Sequence, residues 1–435
     1  MKKNYPFVIF FLLFPFLCLF SQQEKGINGL ENWLNIWTEF NSSAIKYPRP
    51  TQIISGNISN DTKLYKKETY LLLGNVFVTD STTLTIEPGT LILGDYKSKA
   101  SLIITNGSKI IAEGTQTDPI IFTSNRDVKK TGDWGGIFIL GNAPINTIDE
   151  ETELDYDLNP SSSKMILYGG RDVTSNSGIL KYVRIEYAGK RTKNKGYFNG
   201  LTLAGVGSQT VLENIMVSYC EGSSFHVLGG YTYFYQLVSF RSKRNDFVFN
   251  YGAQSLLTNS LAIKSPYHTA SGGASSIYLA SYNDKEKMDP TKKGTYLEAN
   301  NLTLMVLSNN LEADIKVGLV HEAMYVKEGA SFSINKTIFS GFNPGVVLDN
   351  KIRINNENLL KMQFANMYFN NCKGNIFTEN VPNNEDLENW YGNNAFANVY
   401  SRGSNSETFI DVNNLDNPDF RLRINKIIAI SLPED

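Results

Sequence analysis

Cysteine and histidine are scarce in this chain, three of each in 435 residues. Past Phe20, no apolar run approaches the roughly 20 residues that a transmembrane helix needs. The scarcity of cysteine excludes a disulfide framework, because removal of the leader described below would leave only Cys220 and Cys372, far apart in sequence. Both are expected to act as small buried hydrophobes. Histidine at this level, with no HxH or HxxxH spacing among His226, His268 and His321, excludes the usual zinc triads. An excess of either charge is also missing: 41 basic side chains face 43 acidic ones, for a net charge of −2. Without a basic field, a nucleic-acid partner is not expected. Helical periodicity is almost absent, and so are the NG and DG dipeptides at hairpin spacing that a sandwich would favour.

What is present starts with a leader. Lys2 and Lys3 precede an apolar run from Tyr5 to Phe20, and Ser21 stands before the polar Gln22-Gln23. This order reads as a secretory signal over residues 1–21, cleaved near Ser21, with the mature chain starting around Gln22. Cys18 follows Leu17 where a lipobox needs a small residue, so lipidation is not expected. The mature chain is therefore expected to be exported, without a membrane span, and to reside in the periplasm, on the outer membrane or outside the cell.

From about Thr51 onward the chain is a series of short β-branched runs punctuated by Gly, Asn, Asp and Pro: YLLLGNVFV, LTIEPGTLILG, SLIITNGSKIIAEG, PIIFTS, GIFILGN, ILKYVRIEYAG and VLENIMVSY. A recurring phrase sets an Asn three residues ahead of an apolar residue, as in Asn214 with Val217, Asn259 with Ala262, Asn301 with Leu304, Asn335 with Ile338 and Asn366 with Phe369. If a rung takes about 20 to 25 residues, successive copies lie one or two rungs apart, as in a β-solenoid. Asn tolerates the left-handed backbone of a rung corner, and stacked Asn side chains can hydrogen-bond between rungs. The pattern predicts an all-β chain folded as a single-stranded right-handed parallel β-helix over residues 51–435. Segment 22–50 should cap one end, because Leu30, Trp33, Leu34 and Trp37 fall at helical spacing within Leu30 to Phe40. A second short helix is expected from Leu387, Trp390 and Tyr391, and the acidic stretch 147–164 reads as a long loop hanging off one rung.

The phrases LTIEPGTLILGD, IIAEGTQTDPIIFTSN, GDWGGIFILGNAPIN, ILYGG, SGILKYVRIEYAG and NGLTLAGVGSQTVLENIMVSY resemble, in order and spacing, pectin-lyase-like β-helix envelope proteins of Gram-negative bacteria. The likeness runs from about Leu84 to Tyr219 and fades beyond it. It implies an extracytoplasmic β-helix, although FRLRINKIIAISLPED lacks the sorting domain that many such proteins carry. The resemblance also implies clustered acids ahead of Gly229-Gly230, where this sequence has Gly222, Ser223 and His226. A later aspartate cluster is reduced to Arg244, Asn245, Asp246, Val248 and Asn250. Stacked carboxylates are what Ca²⁺ requires, so a family ion site is expected to be lost here, and Ca²⁺ is the one ion left to consider.

Candidate chemistry follows from strand alternation. Arg184 and Glu186 share one face of a strand, and with Glu213 they are the candidate acid, base or charge stabilisers of a lyase or hydrolase. A solvated surface ion pair is the simpler reading of the same residues. Two basic clusters, Lys190, Arg191, Lys193 and Lys195 in one loop and Arg241, Lys243 and Arg244 in another, could meet in space. Tyr231, Tyr233 and Tyr235 alternate on one strand between them, and Tyr197 lies near. Aromatic platforms beside cations suit anionic glycans, so Lys190, Arg191, Tyr231, Tyr233, Tyr235, Arg241, Arg244 and Asp246 form the candidate ligand site. Three functions stand open: a non-catalytic scaffold binding glycan or another envelope component, a polysaccharide lyase or glycoside hydrolase acting on an acidic polysaccharide, and a structural subunit of an outer-membrane complex.

Overall fold

A computed structural model describes residues 25–192, 196–270, 274–372, 377–379 and 385–423. The leader, residues 1–21, lies outside them. Among the described residues no helix is long and apolar enough to cross a membrane.

The β-branched runs form three parallel sheets wound into a solenoid. One turn shows the plan: Val211–Ser218 bends at Asn214 so that 211–213 belongs to sheet 1 and 215–218 to sheet 2, and Phe225–Leu228 then belongs to sheet 3. The next turn repeats it with Tyr231–Tyr235, Val238–Phe240 and Phe247–Asn250, each in parallel register with its counterpart below. Register fixes the core, because strand alternation sends every second residue inward. In sheet 1, Leu212, Phe234, Leu257, Ala299, Ile334 and Phe364 stack on successive rungs, and all are buried. In sheet 3, Phe225, Phe247, Ile277, Met324, Val346 and Phe377 do the same.

The corner between sheets 1 and 2 is left-handed on rung after rung, at Asn214, Asn259, Asn301 and Asn366, with φ of 49–58°. At the fourth Asn phrase the reading slips by one: Lys336, not Asn335, takes the positive φ of 50°. Asn335 ends its strand and accepts the Asn366 side chain at 3.0 Å. Asn214 likewise donates to Gln236 at 2.7 Å. The Asn ladder is thus built near both ends, but in the middle it turns to another partner.

That partner is the N-terminal segment, and here the expected cap is corrected. Residues 30–40 form turns, not a helix, and they do not close the end of the solenoid. Instead, segment 25–50 is a strap across the outer face of sheet 2, running from the last rungs back to the first. Lys25 Nζ donates to the carbonyls of Met367 and Ala397, Gly26 N–H to Lys336, and Ile27 N–H to the Thr303 hydroxyl. Gly26 is required because its φ is +77° and a Cβ would meet Ile338 Cδ1 at 2.5 Å. Asn301 donates to the Gly26 carbonyl. Leu34, Trp37 and Phe40 then bury themselves against Tyr187, Met216, Phe240 and their neighbours, making a second apolar layer outside the solenoid. Leu30 stays in solvent because turns replace the helix that would have aligned it with Trp33 and Leu34. The antiparallel pair Phe409–Asp411 with Asp419–Leu422 completes this layer, with Phe420 against Phe40 at 5.8 Å.

The second expected helix is present, Glu385–Tyr391, and its Leu387 and Tyr391 cover the last rung. The acidic stretch is also more than a hanging loop. Glu151–Glu153 pairs antiparallel with Leu167–Gly169, and Leu154, Tyr156, Leu158 and Tyr168 pack onto the outer face of sheet 3 against Phe138 and Leu228. Its acids face solvent while the residues between them form a lid.

Candidate functional site

Arg184 and Glu186 do share the outer face of sheet 2, but that face lies beneath the strap. Arg184 Nη2 stands 2.9 Å from Glu186 Oε1, with 8% and 1% of the two side chains reaching solvent. The guanidinium also donates to the Tyr47 hydroxyl at 2.8 Å. Burial lowers the pKa of Arg184, but the Glu186 carboxylate and Tyr47 outweigh it and leave the pKa raised; burial, then Glu186, raises that of Tyr47. Glu213 lies on sheet 1 and pairs with Lys181 at 2.9 Å. The three catalytic candidates are therefore on two different faces, and two of them are sealed. They form no acid–base pair accessible to a polymer.

The ligand candidates divide in the same way. Lys190 is 8% exposed, donates to Asn75 Oδ1 at 3.2 Å and the Lys99 carbonyl at 3.0 Å, and sits 4.3 Å from the Phe198 ring centre. Burial lowers its pKa to about 8. It is a structural cation. Tyr231, Tyr233 and Tyr235 point outward together from sheet 1, and Tyr233 and Tyr235 are 54% and 44% exposed. They do not join the basic loops, which leave the corner between sheets 2 and 3, opposite sheet 1. Arg241 lies over Phe240 at 4.8 Å and borders a groove of about 490 Å³ along with Ser404 and Asn405.

Asp246 is not a surface ligand. It is fully buried inside the corner of sheets 2 and 3, where it accepts Ser239 Oγ at 2.5 Å and Ser276 Oγ at 2.7 Å and stands 3.5 Å from Lys264 Nζ. Lys264 also donates to the Arg244 carbonyl. Burial raises the pKa of the acid and lowers that of the amine.

The two basic loops do meet, at Tyr197. The Arg244 guanidinium lies 4.5 Å from the Tyr197 ring centre and that of Arg191 lies 6.0 Å from it. Neither makes an ion pair among the described residues, whereas Lys243 is held by Glu221 at 2.8 Å. Lys193 and Lys195 lie outside the described residues. Two guanidinium groups on one aromatic ring can grip a planar carboxylate or sulfate and stack a sugar face.

His226 belongs under the acidic-stretch lid. Asn199 Oδ1 accepts the Ser223 N–H at 3.1 Å, which turns the Asn199 NH₂ toward His226 Nδ1, 3.1 Å away. Nδ1 is thus an acceptor, and burial lowers the imidazole pKa to about 4. Among the described residues Cys220 and Cys372 are free; Cys220 is buried and Cys372 partly so, and burial pushes each thiol up to about 12. Among the described residues, no three His, Cys, Asp or Glu side chains gather to hold a metal ion. The sequence reading missed a further cationic cluster, Lys46, Arg49, Arg126 and Lys129. Its signal was the basic run Lys46-Tyr47-Pro48-Arg49 just ahead of the first rung.

Neither a curated protein nor a solved structure matches this chain. A family model does, that of the pectate-lyase-like β-helix domain, over residues 56–410. The match extends well past Tyr219, where the readable likeness faded, and agrees with a solenoid whose rungs continue to Val399–Ser401. The three-sheet winding and this match together establish that the chain belongs to the pectate-lyase-like β-helix family, a carbohydrate-related class of proteins.

Proposed function

We propose that the chain is a non-catalytic, extracytoplasmic β-helix that holds an anionic glycan at Arg191, Tyr197 and Arg244. The observation that carries the reading is the pair of guanidinium groups over one tyrosine ring, both without a carboxylate partner among the described residues. A uronate carboxylate supplies that partner, and its pyranose face suits the ring. The sealed state of Arg184 and Glu186 supports binding over turnover.

Retention on a polygalacturonate column tests it. The variant Arg191→Ala/Tyr197→Ala/Arg244→Ala should elute with the void, and unchanged retention would sink the proposal.

The family match favours lyase chemistry as a second reading. It requires ultraviolet-absorbing unsaturated products from polygalacturonate with Ca²⁺ supplied. Their appearance would replace binding by catalysis. A role as a subunit of an outer-membrane complex would show itself instead as stable co-purification with membrane proteins.

A further inference from the structure

A second cationic site lies where the strap meets the first rungs, and its lining does not include Tyr197. A cavity of about 360 Å³ opens there, within the size range of small-molecule sites. Lys46, Arg49, Arg126 and Lys129 line it, with Asp127 the one carboxylate in the lining.

The walls are built rather than loosely solvated. Arg126 lies 4.1 Å from the Tyr96 ring centre, and its Nε stands 2.9 Å from Asp133 Oδ1, so its fork is fixed before any ligand arrives. Lys129 donates to the Ile45 carbonyl at 3.1 Å and lies 5.1 Å from the Tyr47 ring centre. Tyr47 is itself tethered by Arg184 through its hydroxyl. Prolines on both sides of Arg49 restrict its backbone. Lys46 and Arg49 are exposed and make no ion pair among the described residues. Arg126 and Lys129, held by these contacts, lose little entropy on binding, and Lys46 and Arg49 are free to close on the ligand.

The charge count selects the ligand. Four cations stand against Asp127 and Asp133, leaving a surplus of about two charges in a chain that is otherwise nearly neutral. A carboxylate neutralises one of them, whereas a phosphomonoester carries about −1.5 to −2 near pH 7 and offers three acceptor oxygens. Two guanidinium forks suit that geometry. Tyr47 and the prolines give an apolar wall beside the anion, which suits a sugar ring.

We propose that this cavity is a binding site for a phosphomonoester, carried on a sugar or on an envelope lipid headgroup. It shares no residue with the site at Tyr197, so either can fail without the other.

The test is calorimetric titration of the full mature chain with glucose 1-phosphate, with galacturonate and glucose as controls. A second arm measures co-sedimentation with phosphatidylcholine vesicles with and without phosphatidic acid. We expect glucose 1-phosphate to bind at least about tenfold more tightly than galacturonate. Lys46→Glu/Arg49→Glu should abolish this, and Arg191→Ala/Arg244→Ala should leave it intact. Lys46→Gln/Arg49→Gln serves if the reversal lowers the melting temperature. Vesicle binding that is lost in the same variant assigns the phosphate to a lipid headgroup, and its absence assigns it to a soluble sugar. The proposal is overturned if neither phosphate compound binds, if galacturonate binds equally well, or if the charge-removed variants bind unchanged.

Discussion

Asn259 and Asn28 hold one another by two hydrogen bonds: the Asn259 carboxamide accepts the Asn28 N–H at 2.9 Å and donates to the Asn28 carbonyl at 3.1 Å. One residue thereby serves as a left-handed rung corner and as the clasp of the strap. Two substitutions separate these roles. Asn259→Gly keeps the corner backbone and loses the clasp, which at about 1 kcal/mol net per bond should destabilise strap docking by about 2 kcal/mol. Asn259→Ala adds the left-handed penalty of about 1–2 kcal/mol. Limited proteolysis should cut within residues 25–50 faster in both variants than in the parent, and the urea midpoint of the whole chain should fall further in Asn259→Ala than in Asn259→Gly. Equal rates in all three would mean the clasp contributes nothing.

Beneath that strap, the Arg184–Glu186 pair is sealed at both ends. Removing one member leaves the other charge buried and unpaired, which costs about 3–5 kcal/mol, whereas replacing both with apolar groups of similar size costs far less. Glu186→Gln should therefore lower the urea midpoint strongly, and Arg184→Met/Glu186→Leu should recover most of the loss. Retention on polygalacturonate should be the same for both, provided they are folded. A loss of retention in the folded double variant would return these residues to the binding or catalytic machinery.

The contrast between Arg184 and the rung corners shows what was legible in the sequence. Corner identity is partly local: a left-handed backbone favours Asn, so Asn214, Asn259, Asn301 and Asn366 could be read directly, whereas Tyr182 and Gln236 take the same corner conformation on other rungs without that signal. Even there, Lys336 displaced Asn335, because an L-residue with enough support from its neighbours can take the same φ. Alternation likewise placed Arg184 and Glu186 on one face. What covers that face comes from residues 25–50, more than 130 positions away, and no periodicity carries that information. Trp33 and Trp37 advertised an apolar surface, yet their target was the flank of the solenoid and not its end. Asp246 was misread for a related reason. It sits in a polar run with Arg244 and Asn245, and the serines that receive it are remote in sequence pattern, Ser239 within the strand Val238–Phe240 and Ser276 just ahead of the strand Ile277–Leu279.

His226 predicts an acid-side response. Its pKa in the folded chain is lowered to about 4 by burial, against an ordinary value of 6.5. Between those values the unfolded chain binds the extra proton, so stability rises with pH through this window and is lost as pH falls from about 6.5 to about 4. A protonated Nδ1 would also confront the Asn199 NH₂. His226→Gln should flatten the dependence of the urea midpoint on pH in that interval while leaving it nearly unchanged above pH 7. A parent profile with no slope there would show that the imidazole titrates normally.

The Asp246–Lys264 pair invites a double-mutant cycle. Lys264→Met leaves a carboxylate with two serine donors and no cation, and Asp246→Asn leaves an ammonium that has only the Arg244 carbonyl and distant help from Glu322. The second loss is the more severe, because a buried ammonium without an acceptor anion must shed its proton to stay in the interior, whereas the carboxylate keeps two serine donors. Asp246→Asn should therefore destabilise more at pH 6 than at pH 9, since the neutral amine it forces is easier to form at the higher pH. The double variant Asp246→Asn/Lys264→Met, with no charge to bury, should be more stable than either single variant and insensitive to pH over that range. The coupling energy read from the four urea midpoints should reach about 1–3 kcal/mol, as for groups in direct contact. Additive effects would mean that the two side chains do not interact across their 3.5 Å separation.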